Sequence, residues 1–471
     1  MIKFLLIFSF FCKIMVGVLK VLWYNSYNYI IISILYIFLS ILSQVIIMEY
    51  INIADGVKGL FVENNRFSTT HISVNLYLPL KTETVAVNAL LPYVLSSCCK
   101  DYPDFSALNL RISELYGAEV GGIADKIGDT QMLKFFSFSV EDELIPDAVN
   151  LTEEACSLLF SMIFEPSVEN ESFLEADLER ERRLTLEKIA GIINDKRSYA
   201  ISRTISEMYK GEAFGELKTG SYEAVSKITG KDLFAAWQEV IKTAQIRIQV
   251  IGKRLPEGLF ERLADKLQGF TRNPQALKPS TPKKVDNEVR RIEENMDVSQ
   301  GKLVMGFCTD LVGNDKDTAF LAVFADLFGG GPYSKLFKNV REKYSLCYYC
   351  AARPNRTKGY LLVDSGVEPQ NAERAEKEIL NQLEDIKNGN ITNEDLAASV
   401  RSIRDSLICL NDSQPSLDNW YSMRLSDTPV SPEDYISVIE AVTLDDVIRA
   451  AKLYTLDTVY KIMPKQMEGE N

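Results

Sequence analysis

Histidine is nearly absent from this chain, with one residue, His71, in 471. Imidazole is the commonest protein ligand for transition metals and the commonest general base near neutral pH, so any metal site needing two histidines from this chain is excluded. Cysteine does not fill the gap. Cys98, Cys99, Cys156, Cys308, Cys347, Cys350 and Cys409 lack paired zinc-ribbon spacing, and Cys12 lies in an atypical N-terminus. An odd, scattered set reads as reduced thiols of a cytoplasmic protein rather than a disulfide framework. Basic charge is short as well: from Met48 onwards the chain has 49 basic and 65 acidic residues, a balance of −16. Phosphate binding needs a basic surface, so nucleic acid is not expected as a partner.

Charged residues are missing altogether between Lys20 and Glu49, and residues 1–47 contain no Ala, Arg, Asp, Glu, His, Pro or Thr. The run 29–48 is long and apolar enough to span a bilayer. With Lys3, Lys13 and Lys20 held inside, such an anchor would leave the body facing outwards. The same bias resembles translated AT-rich DNA upstream of a start at Met48. The expectation is therefore a cytoplasmic protein starting at Met48, with a membrane anchor through residues 29–48 as the alternative. A cleaved signal peptide fits less well, because lysines interrupt the early apolar run and no small-residue cleavage pattern follows.

What is present is a body rich enough in apolar residues, 46% overall against 25% charged, to bury large cores. Ile72, Val74 and Leu76 alternate as in a half-buried strand, which puts His71 on the opposite, solvent-facing side. Helices are expected at Val85–Ser97 and Ala107–Tyr116, strands near 119–124 and 131–140, a helix over 146–160 and a long charged helix from Val168. The order recurs later as strand Lys302–Cys308, helix Asp317–Phe328, a break at Gly329, Gly330 and Gly331, and helix Tyr333–Lys343. Strands at 346–352 and 360–366 and a helix at 372–387 complete the echo. This is the signature of an internally duplicated α+β unit. The expected division is an apolar extension over 1–47, a first domain over 48–273, a Pro- and Lys-rich linker over 274–295, and a second domain over 296–471.

The most distinctive run is Gly329-Gly330-Gly331-Pro332-Tyr333-Ser334-Lys335-Leu336-Phe337, continued by Val340-Arg341-Glu342-Lys343 and by Leu346-Cys347-Tyr348. It resembles the second domain of the pitrilysin/insulinase (M16) metallopeptidases. Two first-half segments resemble the same family: Glu179-Arg180-Glu181-Arg182, and the stretch from Gly220 through Ile228-Thr229 to Asp232-Leu233. The resemblance implies two tandem homologous α/β domains of the LuxS/MPP-like kind, each an antiparallel-rich sheet covered by helices. It is strongest to bacterial chains associated with 5-aminopentanol modification of elongation factor P.

Catalysis in that family needs His-x-x-Glu-His on the first long helix and a later glutamate, together holding zinc with a glutamate as general base. The corresponding window here is Ala89–Leu95, whose only ionisable group is Tyr93, and Lys188 stands where the third ligand belongs, one residue after Glu187. The resemblance thus implies a chain that holds no metal or cofactor and is not an enzyme by itself, with zinc only in a partner subunit. It also implies substrate-binding roles for Arg341 and Tyr348, a permanent cation and a phenol suited to an oxyanion, and a chamber loop, flexible as a hinge, at Gly329, Gly330 and Gly331. The partners implied are a zinc-bearing homologue, as a heterodimer, and a peptide substrate; a membrane enters only if residues 1–47 are real. A peptide-binding or scaffold protein with no part in proteolysis is the alternative. A self-sufficient Cys or Ser hydrolase would have only His71 as its base.

Weaker signals have plainer readings. The glycine triplet lacks the lysine and strand context of a phosphate-binding loop. Cys347 and Cys350, three apart on a strand, are expected to face opposite sides. Glu179 and Arg183 are expected to pair on a solvated helix face.

Overall fold

Two sheets carry one plan twice in the computed structural model, which describes residues 48–145, 150–285, 288–314 and 316–465. The first sheet contains β1 (Ile51–Ala54), β2 (Val57–Glu63), β3 (Thr69–Pro79), β4 (Glu119–Ile127), β5 (Thr130–Val140) and β8 (Gln245–Gly252), ordered β1-β2-β8-β3-β5-β4. The second contains β9 (Arg290–Met296), β10 (Gly301–Cys308), β11 (Cys347–Asn355), β12 (Tyr360–Val367) and β13 (Thr455–Pro464), ordered β11-β12-β10-β13-β9. In the first sheet β2 and β8 run parallel, as do β9 and β13 in the second, and the remaining neighbours are antiparallel. Without β1 the two orders correspond strand for strand. The duplicated, antiparallel-rich α+β plan is therefore present in the topology.

Helices cover one face of the first sheet. Val74, Leu133 and Ile248 pack against Leu90, Leu91 and Val94 of the helix Val85–Leu95 and against Leu233 and Trp237 of the helix Gly230–Thr243. Each such side chain removed from water contributes about 1.5–3 kcal/mol before entropy is counted. The family-like Ile-Thr-x-x-Asp-Leu stretch has a local physical cause. Thr229 and Asp232 form a reciprocal capping box at the start of Gly230–Thr243, and Thr392 with Asp395 and Thr443 with Asp446 do the same for two second-half helices.

Each half also lends a helix to the other. The helix Lys196–Met208 lies on the second sheet, where Ala200 and Met208 join Val304, Tyr360 and Tyr460. Arg197 Nε reaches Asp364 Oδ2 at 2.5 Å. In return the helix Gln414–Ser422, capped by Ser413, lies on the outer face of the first sheet. Gln414 Nε2 donates to the carbonyls of Thr69 and Ile251, and the Tyr77 hydroxyl donates to the carbonyl of Ser422. This covering overturns the expectation for His71, which is 2% exposed rather than facing solvent. Its Nε2 lies 3.4 Å from Asp418 Oδ2, which Lys134 Nζ approaches to 2.5 Å from β5.

Three local expectations shift. The charged helix begins at Glu175, not near 168, because Asn170 and Glu171 take left-handed φ values (50° and 58°) and turn β6 (Val168–Glu169) into β7 (Ser172–Phe173). The end of the segment expected as linker is strand β9, whose main chain pairs with β13. The helix expected at Tyr333–Lys343 is π-helical over Leu336–Lys343. No helix among the described residues is long and apolar enough to cross a membrane; the run 29–48 lies, but for Met48, outside them.

Candidate functional site

The locus that the resemblance assigns to zinc holds an aromatic and a cation. Where the helix Val85–Leu95 meets the helix Glu175–Gly191, Lys188 Nζ sits 5.1 Å from the centre of the Tyr93 ring. Glu187 takes no part, pairing instead with Arg183 at 2.9 Å on an exposed face. Arg183 is thus engaged by Glu187, and Glu179 pairs with Arg182, which corrects the expected Glu179–Arg183 pair. Ala89 and Pro92 are buried and offer no ligand atom, and burial pushes the Tyr93 phenol up, away from a metal-binding phenolate. Nearby, the Cys98 thiol donates to Asp177 at 3.4 Å, and burial drives it up to about 12. These residues do not fit zinc: an ammonium repels the ion and a neutral phenol does not replace two imidazoles. Among the described residues no group of three His, Cys, Asp or Glu is placed to hold a metal.

The second half holds an open cleft of about 330 Å³, into which Arg341, Glu342, Leu346, Cys347, Tyr348 and Glu368 face. Arg341 comes from the π-helical turn and Tyr348 from the start of β11, so the fold brings the two expected substrate-binding residues to one cleft. The Arg341 guanidinium lies 4.5 Å from the Phe337 ring and, through Nε, 3.6 Å from Glu342. Tyr348 is 57% exposed, and its hydroxyl donates to Glu368 Oε1 at 3.2 Å, a bond that holds the phenol above its ordinary value.

Tyr348 projects because β11 carries a bulge. Cys347 stands opposite Val367 and Tyr349 opposite Gly366, which leaves Tyr348 without a partner on β12. The extra residue resets the alternation. Cys347 and Cys350 stand opposite Val367 and Ser365, two apart on β12, so the two cysteines share a face instead of pointing to opposite ones. Strict alternation could not reveal this, since nothing in the sequence marks the bulge.

The glycine triplet closes the helix Ala319–Gly329 without left-handed backbone. A methyl on Gly329 would come within 2.6 Å of the Ala352 amide nitrogen, and one on Gly330 within 2.4 Å of the Asp326 carboxylate. Tyr333 donates to that carboxylate at 2.7 Å. Gly329 therefore serves the close approach of the helix end to β11, while Gly330 and Gly331 lie against Asp326 and Tyr333.

The family model described as Peptidase M16 inactive domain matches residues 227–403. The probable inactive metalloprotease YmfF of Bacillus subtilis (strain 168) is 31% identical over 412 residues, spanning 86% of this chain and 95% of that protein. The chain belongs to the M16 peptidase family. Both matches are to inactive members, and the chain is an inactive M16-like protein. Two crystal structures share the fold. A conserved protein from Enterococcus faecalis V583 superposes with TM-score 0.81 at 24% identity, covering 90% of this chain and 100% of the other. A peptidase M16 inactive domain from Pseudomonas fluorescens gives TM-score 0.72 at 18% identity, covering 90% and 99%.

Proposed function

We propose that this chain is the non-catalytic subunit of a two-chain peptide-processing chamber. A homologue carrying His-x-x-Glu-His supplies the zinc, and this chain supplies a wall and the Arg341–Tyr348 cleft. The observation that carries the reading is the contrast between the two halves: a lysine over a tyrosine ring at the metal position, and an open cleft presenting a permanent cation and an exposed phenol. A guanidinium and a phenol suit a peptide carbonyl and the oxyanion that develops from it. The seven described cysteines are free thiols, in keeping with a cytoplasmic location. The pairing, and not a link to elongation factor P modification, is the part on which the cleft bears.

The test is reconstitution. The zinc-bearing homologue is assayed on a peptide library alone, with this chain, and with its Arg341→Ala and Tyr348→Phe variants. The expected result is a rate that rises on adding this chain and falls by about 100- to 1000-fold with Arg341→Ala, the range for losing one transition-state donor. A rate indifferent to the chain and to Arg341 would leave only the alternative, a peptide-binding or scaffold protein outside proteolysis.

A further inference from the structure

The bulge that turns Tyr348 outwards also creates a pair of thiols with unequal surroundings. Cys347 lines the cleft and is partly exposed, whereas Cys350 lies 7% exposed directly behind it on the same face of β11. One sulfur is open to a small molecule and the other is buried. We propose that Cys347 and Cys350 form a reversible dithiol–disulfide site for low-molecular-weight disulfides, with Cys347 as the attacking sulfur and Cys350 as the resolving one.

Charge and hydrogen bonding favour these roles. A hydrogen bond with the Cys350 thiol, a second with Ser365 and the positive charge of Arg341 together outweigh burial and hold the Cys347 thiol below its ordinary value. The bond to Cys347, followed by burial, pushes Cys350 the other way. Burial drives Cys98, Cys156 and Cys308 up to about 12, which leaves them inert as nucleophiles. Two successive exchanges follow. The Cys347 thiolate attacks one sulfur of R–S–S–R, a Cys347–S–S–R bond forms, and R–S⁻ leaves. Cys350 then gives its proton to solvent and attacks the Cys347 sulfur, the protein disulfide forms, and the second R–S⁻ leaves. Two protein thiols are oxidised and one small disulfide is reduced to two thiols. Tyr348 and Tyr349 are the two residues enclosed, so oxidation would pin the bulge from which Tyr348 projects.

Both cysteines fall in one tryptic peptide, Tyr344–Arg356, because trypsin spares the Arg353–Pro354 bond, while the exposed Cys409 lies elsewhere and serves as an internal standard. The reduced full-length chain is exposed to oxidised glutathione near neutral pH, quenched by alkylation at intervals, and mapped by mass spectrometry. The expected result is an internal disulfide in Tyr344–Arg356, reversed by dithiothreitol, that forms about tenfold or more faster than the glutathione adduct on Cys409. The Cys350→Ser variant should stop at a glutathione adduct on Cys347. Glutathionylation of Cys409 with Tyr344–Arg356 still fully reduced would overturn the proposal, as would an unresolved adduct on Cys347 in the parent chain. The parent time course decides the matter even if the variant folds poorly, and neither readout depends on peptidase pairing.

Discussion

Lys188 holds its ammonium 5.1 Å from the centre of the Tyr93 ring, so a cation covers an aromatic face at the locus the resemblance assigns to zinc. Zinc titrated into the isolated chain is accordingly expected to produce neither a binding isotherm from this locus in calorimetry nor peptidase activity. Tyr93→His alone should not change that, because Lys188 remains and no second imidazole is near. Lys188→Met should cost only about 0.5–1 kcal/mol in denaturant unfolding, the usual worth of an exposed cation–π pair.

Asp418 is the pivot of the buried seam beneath the helix Gln414–Ser422. It accepts from Ser73 and Lys134 and faces His71, and it and Lys134 are at most 5% exposed. Burial alone would raise its carboxyl, but the charges of His71 and Lys134 and their hydrogen bonds hold it well below the ordinary range. A depressed folded-state value contributes stability that is present above the unfolded value of about 3.9 and lost as pH falls towards the folded one. Asp418→Asn should therefore flatten the loss of stability below about pH 4 in acid unfolding curves. Asp418→Ala, which strands the Lys134 ammonium, should cost about 3–5 kcal/mol at neutral pH, and adding Lys134→Met should recover part of that.

Lys358 ties the two halves together at a second place. Its ammonium, 1% exposed, meets Asp129 at 2.6 Å, Glu212 at 3.0 Å and the carbonyl of Thr281 at 3.0 Å. Lys358→Met removes the buried charge itself, and the two carboxylates, 35% and 43% exposed, can rehydrate. The loss should be smaller than at Asp418, about 1–3 kcal/mol, and should appear as a lower thermal midpoint.

Gly329 leaves no room for a side chain. Gly329→Ala forces a methyl against the Ala352 amide and the Leu336 side chain, which should cost about 1–3 kcal/mol and displace β11 together with Tyr348. Circular dichroism melts give the stability, and the reconstituted peptidase assay reads the displacement.

Much of the plan was legible because its signals are local. Alternation at Ile72, Val74 and Leu76 gave β3, and the repeated element order gave the duplication. His71 was misjudged because alternation separates polar from apolar but cannot tell whether a polar face is wet. Ser73, Asn75 and His71 are all buried by a helix more than 300 residues away. The only trace of that contact is the four-residue spacing of Gln414, Asp418 and Ser422, which becomes meaningful once the facing strand is known. The cysteine pair was hidden for a different reason: one inserted residue inverts the parity of everything after it. At the locus that the resemblance assigns to zinc, Lys188 faces the first helix.

The loan of Lys196–Met208 to one sheet and of Gln414–Ser422 to the other makes this single chain an intramolecular dimer with swapped arms. Each half expressed alone would expose a sheet face that its sibling normally roofs. A protease cut within 274–289 should thus leave two fragments that elute as one particle, because the arms clasp the halves independently of chain continuity.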